Sequence, residues 1–172
     1  MADTHSWWQR GVIYQIYPRS FLDTDGDGIG DLRGIARGLA YLAWLGIDAL
    51  WISPIYPSPM ADFGYDISDH TAIDPRFGSL ADFDAMIDEA HRLGLRVILD
   101  YVPNHTSDRH PWFLGLAHRA RRPPPRLVHL ARSGARRRAA QQLAERVRGS
   151  AWTWDATTRQ YYYHAYLQQY VT

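Results

Sequence analysis

Three polar side chains that could do chemistry follow a short apolar run in the middle of the chain. Residues 97–99 read VIL, Asp100 follows at once, and Asn104 and His105 come a few residues later. Such an apolar run is typical of a buried strand in a parallel sheet, and polar groups that do chemistry gather where such strands end. A lone histidine is usually a satisfied core residue. A histidine five residues after a strand-terminal carboxylate, with Pro103 bending the chain, is better explained by a binding site, so we predict that Asp100 and His105 face a pocket.

A second group, formed by Gly64, Tyr65 and Asp66, lies in the loop after an earlier predicted strand. An aromatic ring beside a carboxylate suits a sugar, because the faces of a sugar ring are apolar and its rim carries hydroxyl groups. Taken alone, Asp66 is better explained as a turn or capping residue. Together with Asp100 and His105 it favours carbohydrate over phosphate, because the chain has no lysine and no glycine-rich phosphate loop.

A run of alternating aspartates and glycines, DTDGDGIGD at residues 23–31, could bind a cation. Carboxylates at alternate positions of a tight turn converge on one hard cation, and the glycines permit the sharp backbone. The candidate ligands are the carboxylates of Asp23, Asp25, Asp27 and Asp31 and the backbone carbonyl oxygen of Ile29. The spacing matches an EF-hand loop except at the twelfth position, where Gly34 replaces a bidentate glutamate. We predict a structural Ca²⁺ or Mg²⁺ site, and the alternative is a turn with solvated carboxylates.

Strand and helix patterns alternate through the first part of the chain. We predict strands at residues 11–17, 48–52 and 96–101 and helices at residues 35–45 and 80–93. The first helix has an apolar face that includes Leu45, and Ser79 and Gly94 mark the ends of the second. This alternation predicts an α/β fold with a parallel sheet and right-handed crossovers. A doubly wound sheet and a (β/α)₈ barrel both begin this way, but no G-x-G-x-x-G follows the first strand, which disfavours a dinucleotide-binding fold.

The composition changes after Phe113. Residues 114–148 carry ten arginines and a single acid, Glu145. Such a segment could bind nucleic acid. It contains a triple proline and no aromatic residue on which bases could stack, so we expect no nucleic-acid partner.

Two absences in the sequence limit the class of protein. There is no cysteine, which excludes disulfides and thiolate metal sites. The first residues, MADTHSWWQR, lack the apolar region of a signal peptide, and no apolar run approaches membrane-spanning length. We expect a cytoplasmic protein with no membrane partner.

Five motifs between residues 7 and 113 resemble the α-amylase superfamily, glycoside hydrolase family 13, and within it the α-glucosidase and oligo-1,6-glucosidase branch. They are WWQRGVIYQIYPRSF, DTDGDGIGDLRGI, ALWISPIYPSPMADFGYDISD, IDPRFGSLADFD and LRVILDYVPNHTSDRHPWF. The resemblance resumes at GSAWTWD and QYYYHAYL. It implies that residues 1–105 form the N-terminal three βα units of a (β/α)₈ TIM barrel. Residues 106–172 would open a B domain inserted after the third strand.

The resemblance also implies roles by position. Asp66 matches the carboxylate that holds the hydroxyls of the terminal glucose, and Tyr65 matches the aromatic ring stacked beneath it. Asp100 and His105 match residues hydrogen-bonded to the same sugar, and Asn104 matches a residue that fixes this loop. The aspartate-rich run at residues 23–31 matches the metal loop of the glucosidase branch. The implied substrate is a small oligosaccharide of the maltose or isomaltose type, and the oligomeric state is open.

The implied activity is retaining hydrolysis of α-glucosidic bonds at the non-reducing end of oligosaccharides. The family uses a carboxylate nucleophile and a carboxylic acid about 5 Å apart. These residues, and a third carboxylate, come from strands four, five and seven, which this chain does not reach. We therefore assign no catalytic residue and expect the chain to be inactive alone, with an open sheet edge. The alternatives are a trehalose synthase or glucosyltransferase of the same family, or a non-catalytic sugar- or cation-binding fragment.

Residues 114–148 depart from this resemblance. The branch motif DWYIW, written in GC-rich codons and read from the last base of its first codon, gives Leu-Val-His-Leu, the sequence at 127–130. The motif NNWLSVFG treated similarly gives residues 141–148. The absence of lysine, and a single asparagine, Asn104, indicate a GC-rich genome. We predict that the segment is translated out of frame between two compensating indels and is poorly ordered.

Overall fold

The structure, a computed structural model, describes residues 5–118, 130–131, 152–156, 160–164 and 167–171. The chain divides into two compact units, Met1–Pro57 with Thr71–Tyr101 and Ser58–His70 with Val102–Thr172. The second unit includes Ser58–His70, which the sequence analysis assigned to the barrel. The predicted domain boundary after His105 stays a prediction.

The first unit contains a three-stranded parallel sheet and the helices that connect its strands. Its elements are β1 (Ile13–Ile16), α1 (Pro18–Phe21), α2 (Leu32–Leu45), β2 (Ala49–Ile52), α3 (Leu80–Arg92) and β3 (Arg96–Leu99). The strand order is β1-β2-β3, and Ala49 on the central strand pairs with Ile13 on one side and Arg96 on the other. The predicted alternation of parallel strands and helices is confirmed, with each strand somewhat shorter than the predicted segment.

Helix α2 begins and ends where its capping residues require. The side chain of Asp31 accepts a hydrogen bond from the backbone N–H of Gly34, and Gly46 ends the helix with a left-handed φ of 87°. The buried face is formed by Leu32, Ile35, Leu39 and Leu42. The prediction that Leu45 shares this face is wrong, since its side chain is 49% exposed. Ten residues of helix rotate Leu45 about 80° away from the direction of Ile35, which takes it off the stripe.

Helix α3 has the predicted ends. Ser79 and Asp82 form a reciprocal capping box, and Gly94 follows the helix with a φ of 76°. Met86 and Ala90 are buried. The guanidinium of Arg33 on α2 donates to Asp82 at 2.7 Å. This hydrogen bond, together with those from Ser79, lowers the pKa of Asp82 to about 2.

The third strand differs from its prediction. The apolar run at residues 97–99 was predicted to be buried, but Ile98 is 36% exposed and Leu99 is 37% exposed. These side chains are exposed because β3 lies at an edge of the sheet, and no fourth strand pairs with it among the described residues. The expected open sheet edge is therefore present in this structure.

The second unit is built from short antiparallel pairs and one helix. Its elements are β4 (Thr106–Ser107), α4 (Pro111–His118), β5 (Leu130–Ala131), β6 (Trp152–Asp155), β7 (Gln160–Tyr163) and β8 (Tyr170–Val171). Strand β4 pairs with β8, and the other three strands lie in the order β5-β7-β6. Cross-strand aromatic pairs join β6 to β7, with ring centroids 5.3 Å apart for Trp152 and Tyr163 and 5.0 Å apart for Trp154 and Tyr161.

The segment predicted to be out of frame is described only in part. Residues 114–118 continue α4, and Leu130–Ala131 pairs with β7. Residues 119–129 and 132–148, with the prediction that they are poorly ordered, lie outside the described residues. Across the part of the chain that is described, no helix has the length and apolar character needed to cross a membrane.

Candidate functional site

Three of the predicted cation ligands come together in the loop before α2. Asp23, Asp25 and Asp27 are exposed, and each offers a carboxylate oxygen within 4.8 Å of the others. The backbone N–H groups of Gly26 and Gly28 donate to Asp23 at 2.7 and 2.8 Å, and the first of these contributes most to lowering the pKa of Asp23. A concentration of anionic oxygen on one turn is the donor set that Ca²⁺ or Mg²⁺ prefers, so the residues fit the predicted ion.

Asp31 has a structural task in the same loop. Its carboxylate accepts hydrogen bonds from the backbone N–H of Gly34 at 2.7 Å and from the N–H and hydroxyl of Thr24 at 2.8 and 2.9 Å. These bonds lower the pKa of Asp31 although burial, the largest single influence, raises it. Asp31 thereby joins the loop to the start of α2. Whether Asp31 and the carbonyl of Ile29 also bind a cation stays a prediction.

Asp66 is fully buried and holds the loop that precedes it. Its Oδ1 accepts from the hydroxyl of Ser58 at 2.8 Å and from the backbone N–H of Asp62 at 3.1 Å, and its Oδ2 accepts from the N–H of Ala61 at 3.0 Å. The hydroxyl of Ser58 in turn accepts from the N–H of Met60 at 2.9 Å. Within its unit, Asp66 therefore acts as a turn or capping residue, which is the explanation that the sequence favours when Asp66 is considered alone.

Tyr65 and His105 are joined although forty positions separate them in the sequence. Nε2 of His105 lies 3.1 Å from the backbone carbonyl oxygen of Tyr65. A carbonyl oxygen can only accept, so Nε2 donates, and Nδ1 is the acceptor nitrogen of the neutral ring. Burial lowers the pKa of His105, and the hydrogen bond to Tyr65 opposes that effect. The second unit thus brings together Tyr65, Asp66 and His105.

Asp100 belongs to the first unit, where it follows β3 directly. Its backbone N–H donates to the carbonyl of Ile52 at 3.0 Å, which extends the pairing of β2 with β3 by one residue. Tyr56, after the neighbouring strand β2, is half-buried. Burial, and then the negative charge of Asp100, raises the pKa of Tyr56. Polar side chains therefore follow both strands at the same end of the sheet, as predicted for this architecture.

Asn104 lies in the loop after β3 and is exposed. Its predicted role in fixing that loop stays a prediction.

Neither Ser58 nor Tyr56 was predicted from the sequence to be a site residue. Ser58 lies in the proline-rich stretch YPSPM, where a serine is common and gives no signal of function. Only the fold shows that its hydroxyl donates to Asp66. Tyr56 could have been found, because it follows the second predicted strand at the end where Asp100 follows the third.

Comparisons with known proteins agree with this arrangement. The family model described as "Alpha amylase, catalytic domain" matches residues 15–171. A probable alpha-glucosidase of Rhizobium meliloti (strain 1021) is 53% identical over 161 residues, which cover 94% of this chain and 29% of the relative. An oligo-1,6-glucosidase of Parageobacillus thermoglucosidasius is 46% identical over 163 residues, covering 95% of this chain and 29% of the relative.

A solved structure shows the same fold. The isomaltulose synthase from Klebsiella sp. LX3 superposes with a TM-score of 0.87 at 41% sequence identity, and the match covers 98% of this chain and 30% of that chain. The chain thus spans less than a third of the length of these relatives. It belongs to the alpha-amylase family, and its parallel strands and helices are the N-terminal βα units of that family's (β/α)₈ barrel.

Proposed function

We propose that this chain contributes one wall of the glucose subsite of an α-glucosidase that acts at the non-reducing end of small oligosaccharides with retention of configuration. Tyr65, Asp66 and His105, which all belong to the second unit, bind the terminal glucose. A contact of Asp100 with the same sugar stays a prediction. The observation that carries the proposal is that one compact unit holds Tyr65, Asp66 and His105, where His105 is hydrogen-bonded to the carbonyl oxygen of Tyr65 and Asp66 is hydrogen-bonded to the loop before it. The relatives named alpha-glucosidase and oligo-1,6-glucosidase support the substrate class.

The hydrogen bonds of Asp66 fit a sugar contact. An ionised carboxylate has about four lone-pair positions, and three of them are occupied by Ser58, Ala61 and Asp62. One position on Oδ2 is left for a sugar hydroxyl. Because the side chain is fully buried, the sugar must displace part of the loop to reach it.

The displacement can be measured at the two backbone amides that Asp66 holds. We expect glucose to shift the NMR resonances of Ala61 and Asp62 in the wild-type chain. Asp66→Asn should abolish the glucose-dependent shift of these two resonances, since the amide group replaces one acceptor oxygen by a donor. Unshifted Ala61 and Asp62 resonances in the wild type at saturating glucose contradict the proposal.

Asp66 and Asp100 are binding groups in this proposal and not the reacting pair. Retaining hydrolysis needs two carboxyl groups about 5 Å apart, one as nucleophile and one as acid. The Asp66 carboxylate accepts three hydrogen bonds from its own loop, which suits a positioning group better than a nucleophile. We therefore propose that the 172-residue polypeptide alone does not cleave glucosides.

A glucosyl transfer activity is the second candidate. The structural likeness to an isomaltulose synthase favours it, because that protein is named as a synthase. Transfer and hydrolysis differ in whether a sugar or water accepts the glucosyl group. Product analysis of a completed enzyme separates the two activities: glucose alone indicates hydrolysis, and new disaccharides indicate transfer.

We also propose that residues 114–148 derive from an out-of-frame reading. The support is compositional, since ten arginines and one acid fall within residues 114–148. Sequencing the DNA tests it. Compensating insertions or deletions near Leu114 and Gly149 are expected, and a single frame whose shifted reading yields no family motif contradicts it.

A further inference from the structure

Two residues of the loop that Asp66 holds have a left-handed backbone. Met60 has a φ of 61° and Phe63 a φ of 51°, and these are the only non-glycine residues with positive φ in the part of the chain that is described. Such values are uncommon outside glycine, asparagine and aspartate, and for a bulky side chain they cost of order 1–3 kcal/mol each. Strained residues of this kind persist only where the surroundings impose them.

Asp66 and Ser58 impose the strain. The Asp66 carboxylate binds the backbone N–H groups of Ala61 and Asp62, which lie between the two strained residues. The Ser58 hydroxyl binds the N–H of Met60. Each of these hydrogen bonds is accepted by a side chain that is buried in this unit. Buried acceptors therefore hold the strained conformation in place.

The held conformation presents an aromatic ring to solvent. The Phe63 side chain is 65% exposed, although it is large and apolar. The left-handed backbone at this bulky residue costs free energy in the folded chain. Strain of this kind is concentrated at ligand-binding positions, and aromatic side chains line most ligand sites.

We propose that Phe63 is a specificity-determining residue whose ring packs against the second sugar unit of an α-linked glucose disaccharide. The proposal rests on the proposed function, in which Tyr65 and Asp66 hold the terminal glucose. Two residues of extended backbone span at most about 7 Å, so Phe63 lies within one sugar unit of Tyr65. At this separation, a ligand whose terminal glucose contacts Tyr65 has its second sugar unit within reach of the Phe63 ring, and such a contact favours maltose over glucose.

The experiment measures the dissociation constants of glucose and maltose by calorimetric titration of the 172-residue chain and three variants. Phe63→Asn removes the ring and keeps a residue that tolerates the left-handed backbone. Met60→Asn is the matched control, since it relieves the same kind of strain and leaves the Phe63 ring in place. Phe63→Trp keeps an aromatic ring. The thermal midpoint of each variant reports whether it is folded.

Phe63→Asn is expected to weaken maltose binding by about five- to tenfold, the size of one aromatic contact, and to leave glucose binding unchanged. Met60→Asn and Phe63→Trp should bind both sugars as the wild type does. Equal maltose affinity in Phe63→Asn and wild type overturns the inference and leaves the proposed function standing. Equal losses in Phe63→Asn and Met60→Asn overturn it also, because strain and not the ring is then responsible. A wild-type chain that binds neither sugar overturns both.

Discussion

Nε2 of His105 donates a hydrogen bond of 3.1 Å to the backbone carbonyl oxygen of Tyr65. This contact joins the loop after β3 to the residue predicted to stack beneath the sugar. His105 therefore positions Tyr65 through the main chain, while only its Nδ1 can face a hydroxyl group. The pairing explains why a half-buried imidazole lies at this place in the fold.

His105→Ala should remove that support. A buried hydrogen bond of this kind contributes about 1 kcal/mol to the free energy of unfolding, and denaturant titration should show a loss of that size. His105→Gln is the control, because its side-chain amide can donate to the same carbonyl. Equal stability of His105→Ala and wild type argues against a positioning role.

Acid should destabilise the second unit through His110. This histidine is buried, and its Nδ1 accepts from the backbone N–H of Trp112 at 3.1 Å in the first turn of α4. Burial, and then the charge of His70, lowers the pKa of His110, whereas Asp69 raises it. The unfolded chain then binds more protons than the folded one, so stability falls as pH drops below the ordinary value of 6.5.

Thermal midpoints measured from pH 8 to pH 5 check this expectation. His110→Asn keeps an acceptor at the helix N-terminus without a titrating group, and its midpoint should depend less on pH. An identical pH dependence in His110→Asn and wild type excludes His110 as the cause.

Calcium should stabilise the first unit. A ligand that binds only the folded state raises stability in proportion to the logarithm of its concentration over Kd, and we expect a rise of a few degrees in the thermal midpoint that chelation reverses. Asp25→Asn removes one of three convergent carboxylates and should reduce the rise. Asp84→Asn, on the exposed side of α3, is the matched control. A rise that Asp25→Asn leaves unchanged places the ion elsewhere.

The sequence predicted what depends on local signals. Ser79 and Gly94 fix the ends of α3 through a capping box and a left-handed glycine, and both signals are visible as residue types. The sequence-based prediction was wrong where burial depends on neighbouring elements of the fold. The apolar run at residues 97–99 has the composition of a buried strand, but burial depends on a neighbouring strand that no residue of the run encodes. The prediction that Leu45 is buried was wrong for a geometric reason. Spacings of three and four residues only approximate the helical period of 3.6, and the angular difference accumulates over the ten residues from Ile35 to Leu45.

The candidate site divides in the same way. Asp66, Tyr65 and His105 were predicted as site residues from residue type and position after strands, and their sugar contacts stay a prediction. Ser58 and the strained backbone of Met60 and Phe63 could not be found, because left-handed φ values at such residues arise from hydrogen bonds to Asp66 made several positions along the chain. The backbone preferences of methionine and phenylalanine predict negative φ values at these two positions.

We propose that this chain supplies sugar-binding groups, and that the reacting carboxylates lie on later strands of the barrel. The most direct test measures glucose released from maltose and isomaltose by two proteins. One is the 172-residue polypeptide. The other continues it through strand eight with the remaining sequence of the Rhizobium meliloti relative, whose sequence also replaces residues 114–148. We expect no glucose release by the first protein and release by the second, and Asp66→Asn should reduce the release by the second. Glucose release by the 172-residue polypeptide itself would show that the reacting carboxylates lie within these residues.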